Sequence, residues 1–304
     1  MYRVQLPTIS SGHSEPPEDG PLANWYTSGT LFAGWKATVM CELLGMSANT
    51  PTDLCFSFTE LTRRGGGSGP HKDGWGVAFY EGRGVQAFHE SRASAQSDIA
   101  RMVQTHPIKS EIAICHIRQA NVGDVCLANT HPFQRELWGR YWTFAHNGQL
   151  NQFEPRPGIY EPVGTTDSEA LFCDLMNAIR SSLDRDVDLK TLTRFLVKHS
   201  NAYSKLGVFN LLLSNGDWLF TYCTTKMAAI TRRSPFGPAR LQDADVTVDF
   251  GTVTTPSDVV SVIATEPLTV DERWDRYEPH EWRMWRKGEV IDRGKQITTA
   301  DSPA

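Results

Sequence analysis

Apolar and polar positions fall into short periods from Met40 onward, separated by glycine, proline and acidic turns. Cys41–Met46 is an apolar run that predicts a buried strand. Thr52 or Asp53 then caps a short helix reaching about Arg63. Val77–Tyr80 and Val85–His89, with Glu81–Gly84 between them, predict a hairpin. Asp98–Thr105 predicts a helix, and Glu111–Arg118 alternates as a buried strand does. Tyr141–Ala145 predicts another strand, ending at His146-Asn147-Gly148. Thr165–Glu169 is a helix-start signature, and Leu171, Leu175, Ala178 and Ile179 recur behind it at helical spacing. A second helix spans Leu189–His199. From Gly207 the texture is β: Val208–Ser214, Trp218–Cys223, Ala228–Arg232, Val246–Phe250 and Val259–Ala264. Short strands with turns between them predict layered antiparallel sheet.

Residues 1–39 read differently. Pro7, Pro16, Pro17 and Pro21 stand among serine, glycine and acidic residues, with no period of 2 or 3.6. This segment is expected to be a disordered leader, a propeptide or the product of a misassigned start. Residues 40–286 read as one domain and residues 287–304 as a C-terminal tail. Hydrophobic residues make up 40% of the 304 and charged residues 21%, a balance that allows a sizeable core. The net charge of −5 and the absence of any Lys/Arg block argue against a nucleic-acid partner. Cys41, Cys55, Cys115, Cys126, Cys173 and Cys223 form no C-x-x-C pair. Their spacing fits reduced thiols in the cytoplasm better than a zinc site or a disulfide framework. No apolar run reaches the ~18 residues of a membrane span, and the N-terminus lacks a signal-peptide h-region, since Leu31–Trp35 is too short and too late. A soluble, cytoplasmic protein without a membrane partner is therefore expected.

Five residues carry candidate chemistry. Cys41 alone reads as inert core. It nevertheless follows an internal Met at the point where globular texture begins. If it became the terminal residue, one residue would hold both a thiol and an α-amine. That amine, with a pKa of roughly 8, is suited to act as general base. Arg118, at the end of an apolar strand, either reaches solvent or grips a carboxylate with two parallel bonds. Asn147-Gly148 is either a hairpin turn or an oxyanion hole of side-chain amide and backbone N–H. Asp167 is either the first cap of its helix or the receiver of a substrate ammonium. The run Gly65–Gly69 lacks both P-loop and nucleophile-elbow spacing and reads as a flexible loop.

Taken in order, these residues resemble the class II glutamine amidotransferase family, and its stand-alone members in particular. The more specific stretches are Met40–Met46, Gly69–Gly76, His116–Asn121, Asn129–Phe133, Ala145–Leu150 and Thr166–Glu169. The similarity continues through Gly207–Leu213, Ile230–Gly237 and Val259–Pro267, and so covers roughly 40–286. The resemblance implies an α+β fold: a four-layer α/β/β/α sandwich of two antiparallel sheets, of the N-terminal nucleophile hydrolase type. It implies Cys41 as nucleophile and base, Asn147 and Gly148 as oxyanion hole, Arg118 for the α-carboxylate and Asp167 for the α-ammonium. The expected reaction cleaves the γ-glutamyl amide of glutamine or of a conjugate through a Cys41 thioester, with no metal or organic cofactor. The alternatives are an ammonia-supplying subunit of a separate synthase and a non-catalytic binding protein that keeps the fold. Relatives with a synthase domain often show Thr and His shortly after the arginine, where this chain has Asn121 and Val122. Family members begin at the cysteine. A start at Met40 is preferred over a removed propeptide.

Overall fold

The strand predicted by the opening apolar run is nearly twice as long as that run. In the computed structural model, which describes residues 41–121, 123–249 and 255–296, β1 extends over Glu42–Thr52. Its first seven residues are buried because both faces of its sheet are covered. Next come α1 (Cys55–Arg64), the hairpin β2 (Trp75–Glu81) and β3 (Gly84–Glu90), α2 (Asp98–Thr105) and β4 (Ser110–Ile117). They are followed by β5 (Phe133–Leu137), β6 (Arg140–Leu150), α3 (Asp167–Ser182) and α4 (Leu189–Tyr203). The remaining strands are β7 (Gly207–Ser214), β8 (Leu219–Cys223), β9 (Ala228–Arg233), β10 (Pro238–Arg240), β11 (Thr247–Asp249) and β12 (Val259–Ala264). The last three are β13 (Asp275–Arg276), β14 (Glu281–Arg286) and β15 (Glu289–Lys295).

Two large antiparallel sheets result, beside a small ribbon of β10 and β11. The first has the order β13-β9-β12-β1-β4-β2-β3, and the second β15-β14-β8-β7-β6-β5. Strand alternation sorts the side chains into three layers of core. Leu43, Ile114, Ala145, Leu212, Ile263 and Trp285 lie between the sheets. Leu44, Met46, Val77 and Cys115 face α1 and α2, where Phe58, Leu61, Ala100 and Val103 meet them. Trp142, Phe144, Leu211 and Phe220 face α3 and α4, against Leu171, Phe172, Leu192 and Leu196. This is the four-layer α/β/β/α sandwich.

The helix starts follow capping chemistry. Ser97, Thr166 and Asp188 each accept a backbone N–H from the first turn of α2, α3 and α4. The start of α1 departs from expectation: Leu54 stands at its cap with no side-chain bond, while Asp53 accepts the Cys55 N–H at 3.3 Å. A further departure concerns the C-terminal end. Residues 289–295, assigned above to the tail, form β15 and pair with β14. Trp285 is buried between the sheets and its indole N–H donates to Thr221 Oγ1, whereas Trp282 packs on the helix-facing side near Phe220. Residues 1–40, Val122, residues 250–254 and residues 297–304 lie outside the described residues. The expectations for the leader, for the end of Val246–Phe250 and for the last eight positions fall there.

Phe144 stacks on Phe172 of α3 with ring centroids 4.9 Å apart, both fully buried. Phe144→Ala is expected to lose about 3–5 kcal/mol, read from chemical denaturation. A loss under about 1 kcal/mol would mean that α3 does not depend on this contact.

Candidate active site

Cys41 sits one residue before β1, where four segments of chain converge. Leu43 is fastened to the residue after β12: its N–H donates to Thr265 Oγ1 at 2.8 Å, and its carbonyl accepts the Thr265 N–H at 3.1 Å. On the other side Leu43 pairs with His116 of β4. The Cys41 sulfur accepts the Gln119 N–H at 3.2 Å, and its S–H faces the Gln119 carbonyl at 3.4 Å. From the second sheet, the Asn147 side-chain amide donates to the Cys41 carbonyl and lies 3.5 Å from Thr265 Oγ1.

Asn147 reaches this point because β6 continues through it. The Asn-Gly pair is not a turn: Asn147 pairs with Asn210 and Gly148 with Phe209 of β7. Along β6, Trp142, Phe144 and His146 face the helices, and Ala145 and Asn147 face the first sheet. Asn210 donates to the Asn147 carbonyl at 3.0 Å and accepts the Thr224 and Thr225 N–H groups, locking the strand in place. Gly148 is required by close approach, since a Cβ there would lie 1.8 Å from the Val208 carbonyl oxygen.

Asp167 is the first residue of α3 rather than its cap, a role taken by Thr166. Its carboxylate accepts the Leu150 N–H at 2.7 Å and the Ser168 N–H at 2.8 Å. It is thereby fixed at the end of β6, three residues beyond Asn147. Arg118 follows β4 directly and is buried. Its guanidinium donates to the carbonyls of Asp124 (2.9 Å) and Gly123 (3.1 Å), so it organises the loop after β4. Its backbone is held on both sides of Asp73-Gly74, and Asp73 in turn accepts the Ala120 N–H at 2.8 Å. Asn121 is exposed. Sequence reasoning missed Gln119, Thr265 and Asn210. Gln119 acts through its backbone, Thr265 and Asn210 through short polar side chains, and nothing in residue type marks these positions.

Burial pushes the Cys41 thiol up to about 11, against the opposing pull of the Gln119 N–H and the Arg118 charge. Three histidines lie close by in neutral form. Burial holds His116 down at about 3, lowers His131 well below the ordinary range, and lowers His146 despite the nearby Asp167. The His116 and His131 rings are 4.2 Å apart between centroids. Among the described residues no group of three or more His, Cys, Asp or Glu side chains could hold a metal ion. No helix among them is long and apolar enough to cross a membrane.

The sequence profile of the class II glutamine amidotransferases matches residues 40–304. The chain belongs to that family. It is 53% identical over 254 residues to YafJ of Escherichia coli strain K12, a protein named only provisionally as a glutamine amidotransferase; the match covers 83% of this chain and all of YafJ. It is also similar to the crystal structure of a predicted glutamine amidotransferase from Pseudomonas aeruginosa PA01, at 59% identity and a TM-score of 0.69, covering 83% of this chain and 100% of that one. The glutamine phosphoribosylpyrophosphate amidotransferase of B. subtilis shares the fold, with a TM-score of 0.51 at 15% identity over 84% of this chain and 49% of that one.

A histidine held at about 3 in the folded state and near 6.5 when unfolded takes up its proton on unfolding. The stability contributed by keeping His116 neutral is complete above about pH 6.5 and declines as pH falls toward 3. Denaturant titrations between pH 7 and 4 are expected to show falling stability. In His116→Phe the slope near pH 5 should be smaller by about one proton. An unchanged slope would show that His116 does not titrate on unfolding.

Proposed function

We propose that this class II glutamine amidotransferase cleaves the γ-glutamyl amide of glutamine or of a γ-glutamyl conjugate, with Cys41 as nucleophile. The observation that supports this most directly is the meeting of Cys41 with the Asn147 side-chain amide across the two sheets. An amide donor beside the nucleophile is what a tetrahedral oxyanion needs. In this reading the thiol attacks the amide carbon, and Asn147 with the Gly148 N–H stabilises the oxyanion. Ammonia or an amine leaves, and water releases glutamate from the thioester. Arg118 binds the α-carboxylate and Asp167 the α-ammonium.

A thiol near 11 is a poor nucleophile at neutral pH. The reading therefore requires the Cys41 α-amine to be free, so that it can take the proton on attack. A chain beginning at Cys41 is expected to hydrolyse glutamine or a γ-glutamyl amide and to be labelled at Cys41 by a glutamine-mimic electrophile. The same chain carrying the preceding forty residues should do neither, and Cys41→Ala should abolish both. Intact mass of protein made from its native locus reads the mature terminus. A functional protein still carrying those residues would overturn the proposal.

Arg118→Lys replaces a two-pronged grip by a point charge. The expected result is a KM raised by roughly tenfold with a smaller change in kcat. An unchanged KM would remove Arg118 from substrate binding. A second reading, an ammonia-supplying glutaminase working with a separate synthase, draws support from Val125 and Leu127. Both are half exposed on the loop held by Arg118. Glutaminase activity that rises only when a co-purifying synthase is present would favour it.

A further inference from the structure

The end of β6 opposite Asn147 carries a second concentration of chemistry. β5 turns into β6 through Trp138-Gly139, with Leu137 paired to Arg140. Both turn residues have positive φ, 60° at Trp138 and 75° at Gly139. This is the two-residue hairpin geometry that Asn-Gly normally serves. A bulky aromatic residue in the left-handed region is strained, and strain of this kind persists where the side chain has a use.

Beside the turn lies a cavity of about 360 Å³, near the lower end of the range for small-molecule sites. Trp138 lines it as a half-buried wall, with the buried Trp142 and Trp218 behind it. Trp142 stands edge-on to the other two, with centroids 6.4 and 5.4 Å away. Three arginines edge it: Arg83 from the β2–β3 turn, Arg140, and Arg185 from the α3–α4 connection. The Arg83 guanidinium lies 3.9 Å from where a Cβ on Gly139 would stand. None of the three side chains has an ion-pair or hydrogen-bond partner among the described residues. Asp217 is already paired with Arg286 at 2.9 Å, which leaves three arginines against Asp186.

In a chain of net charge −5, this local excess of cation selects an anion. The half-buried Trp138 indole, with guanidinium groups at the rim, selects a flat ring by stacking and by cation–π contact. Fork-shaped donors suit a carboxylate or a phosphate. We infer that this cavity binds a small molecule with a planar aromatic ring that bears a carboxylate or phosphate. It is separate from the Cys41 centre: Arg140 and Asn147 are seven residues apart on β6, about 23 Å at ~3.3 Å per residue.

The test is isothermal titration calorimetry of the full chain with adenosine 5′-monophosphate, indole-3-acetate and 4-aminobenzoate, beside adenosine and inorganic phosphate. At least one aromatic anion should bind saturably, and the two partial probes should bind at least roughly tenfold more weakly. Arg140→Ala/Arg185→Ala should weaken binding by roughly tenfold or more. Trp138→Asn should weaken it similarly while raising Tm, because Asn accepts the left-handed turn. A purely structural tryptophan would leave binding unchanged. Absence of saturable binding for all three anions, equal binding of adenosine, or wild-type affinity in both variants would each overturn the inference.

Discussion

The two hydrogen bonds between Leu43 and Thr265 are the constraint on which the site depends. They close the end of the β1–β12 ladder one residue past the last strand pair, so the chain preceding Leu43 leaves the sheet in one direction. A second fastening lies beside them. The Arg64 guanidinium bonds to Glu42, Glu60 and Asp243 and also to the carbonyls of Glu266 and Pro267. Buried charges persist only when their donors and acceptors are used this fully. Helix α1, the start of β1 and the segment after β12 are thus tied together next to Cys41.

The second sheet brings the complementary donor, and its distance from the first is set by small residues. A Cβ on Gly45 would meet Leu219 at 3.1 Å and Leu212 at 3.3 Å. Gly148 lets β6 and β7 close up beside Asn147. A Cβ at Gly45 would make the Leu219 and Leu212 side-chain ends give by a few tenths of an ångström, whereas one at Gly148 would meet the Val208 backbone and force β6 and β7 apart. The neutral histidines belong to the same logic. A charged imidazolium at His116 or His131 would be repelled by the nearby Arg118 guanidinium.

Much of this was legible in the residues. Period-2 and period-3.6 patterns located most strands and all four helices, because one face of each is plainly apolar. Asn147-Gly148 misleads as a dipeptide, since only pairing with Asn210 across β7 reveals that the strand runs on. Asp167 was misread by one position because Thr165 and Thr166 both carry capping hydroxyls and the helix selects the second. β14 and β15 escaped because Trp282 and Trp285, three apart, face opposite sides of a strand whose other positions are mostly charged. Gln119 and Thr265 lie inside stretches that carry the resemblance, yet nothing in their residue type assigned them a role, because one works through its backbone and the other stands just past a strand end.

The burial of Cys41 has one more consequence. Peroxides and other oxidants attack the thiolate rather than the thiol, and the path from sulfenic to sulfinic acid becomes irreversible. A sulfur held near 11 offers almost no thiolate while its nitrogen remains within the chain. The desolvation that keeps this thiol protonated therefore also shelters it from oxidative damage.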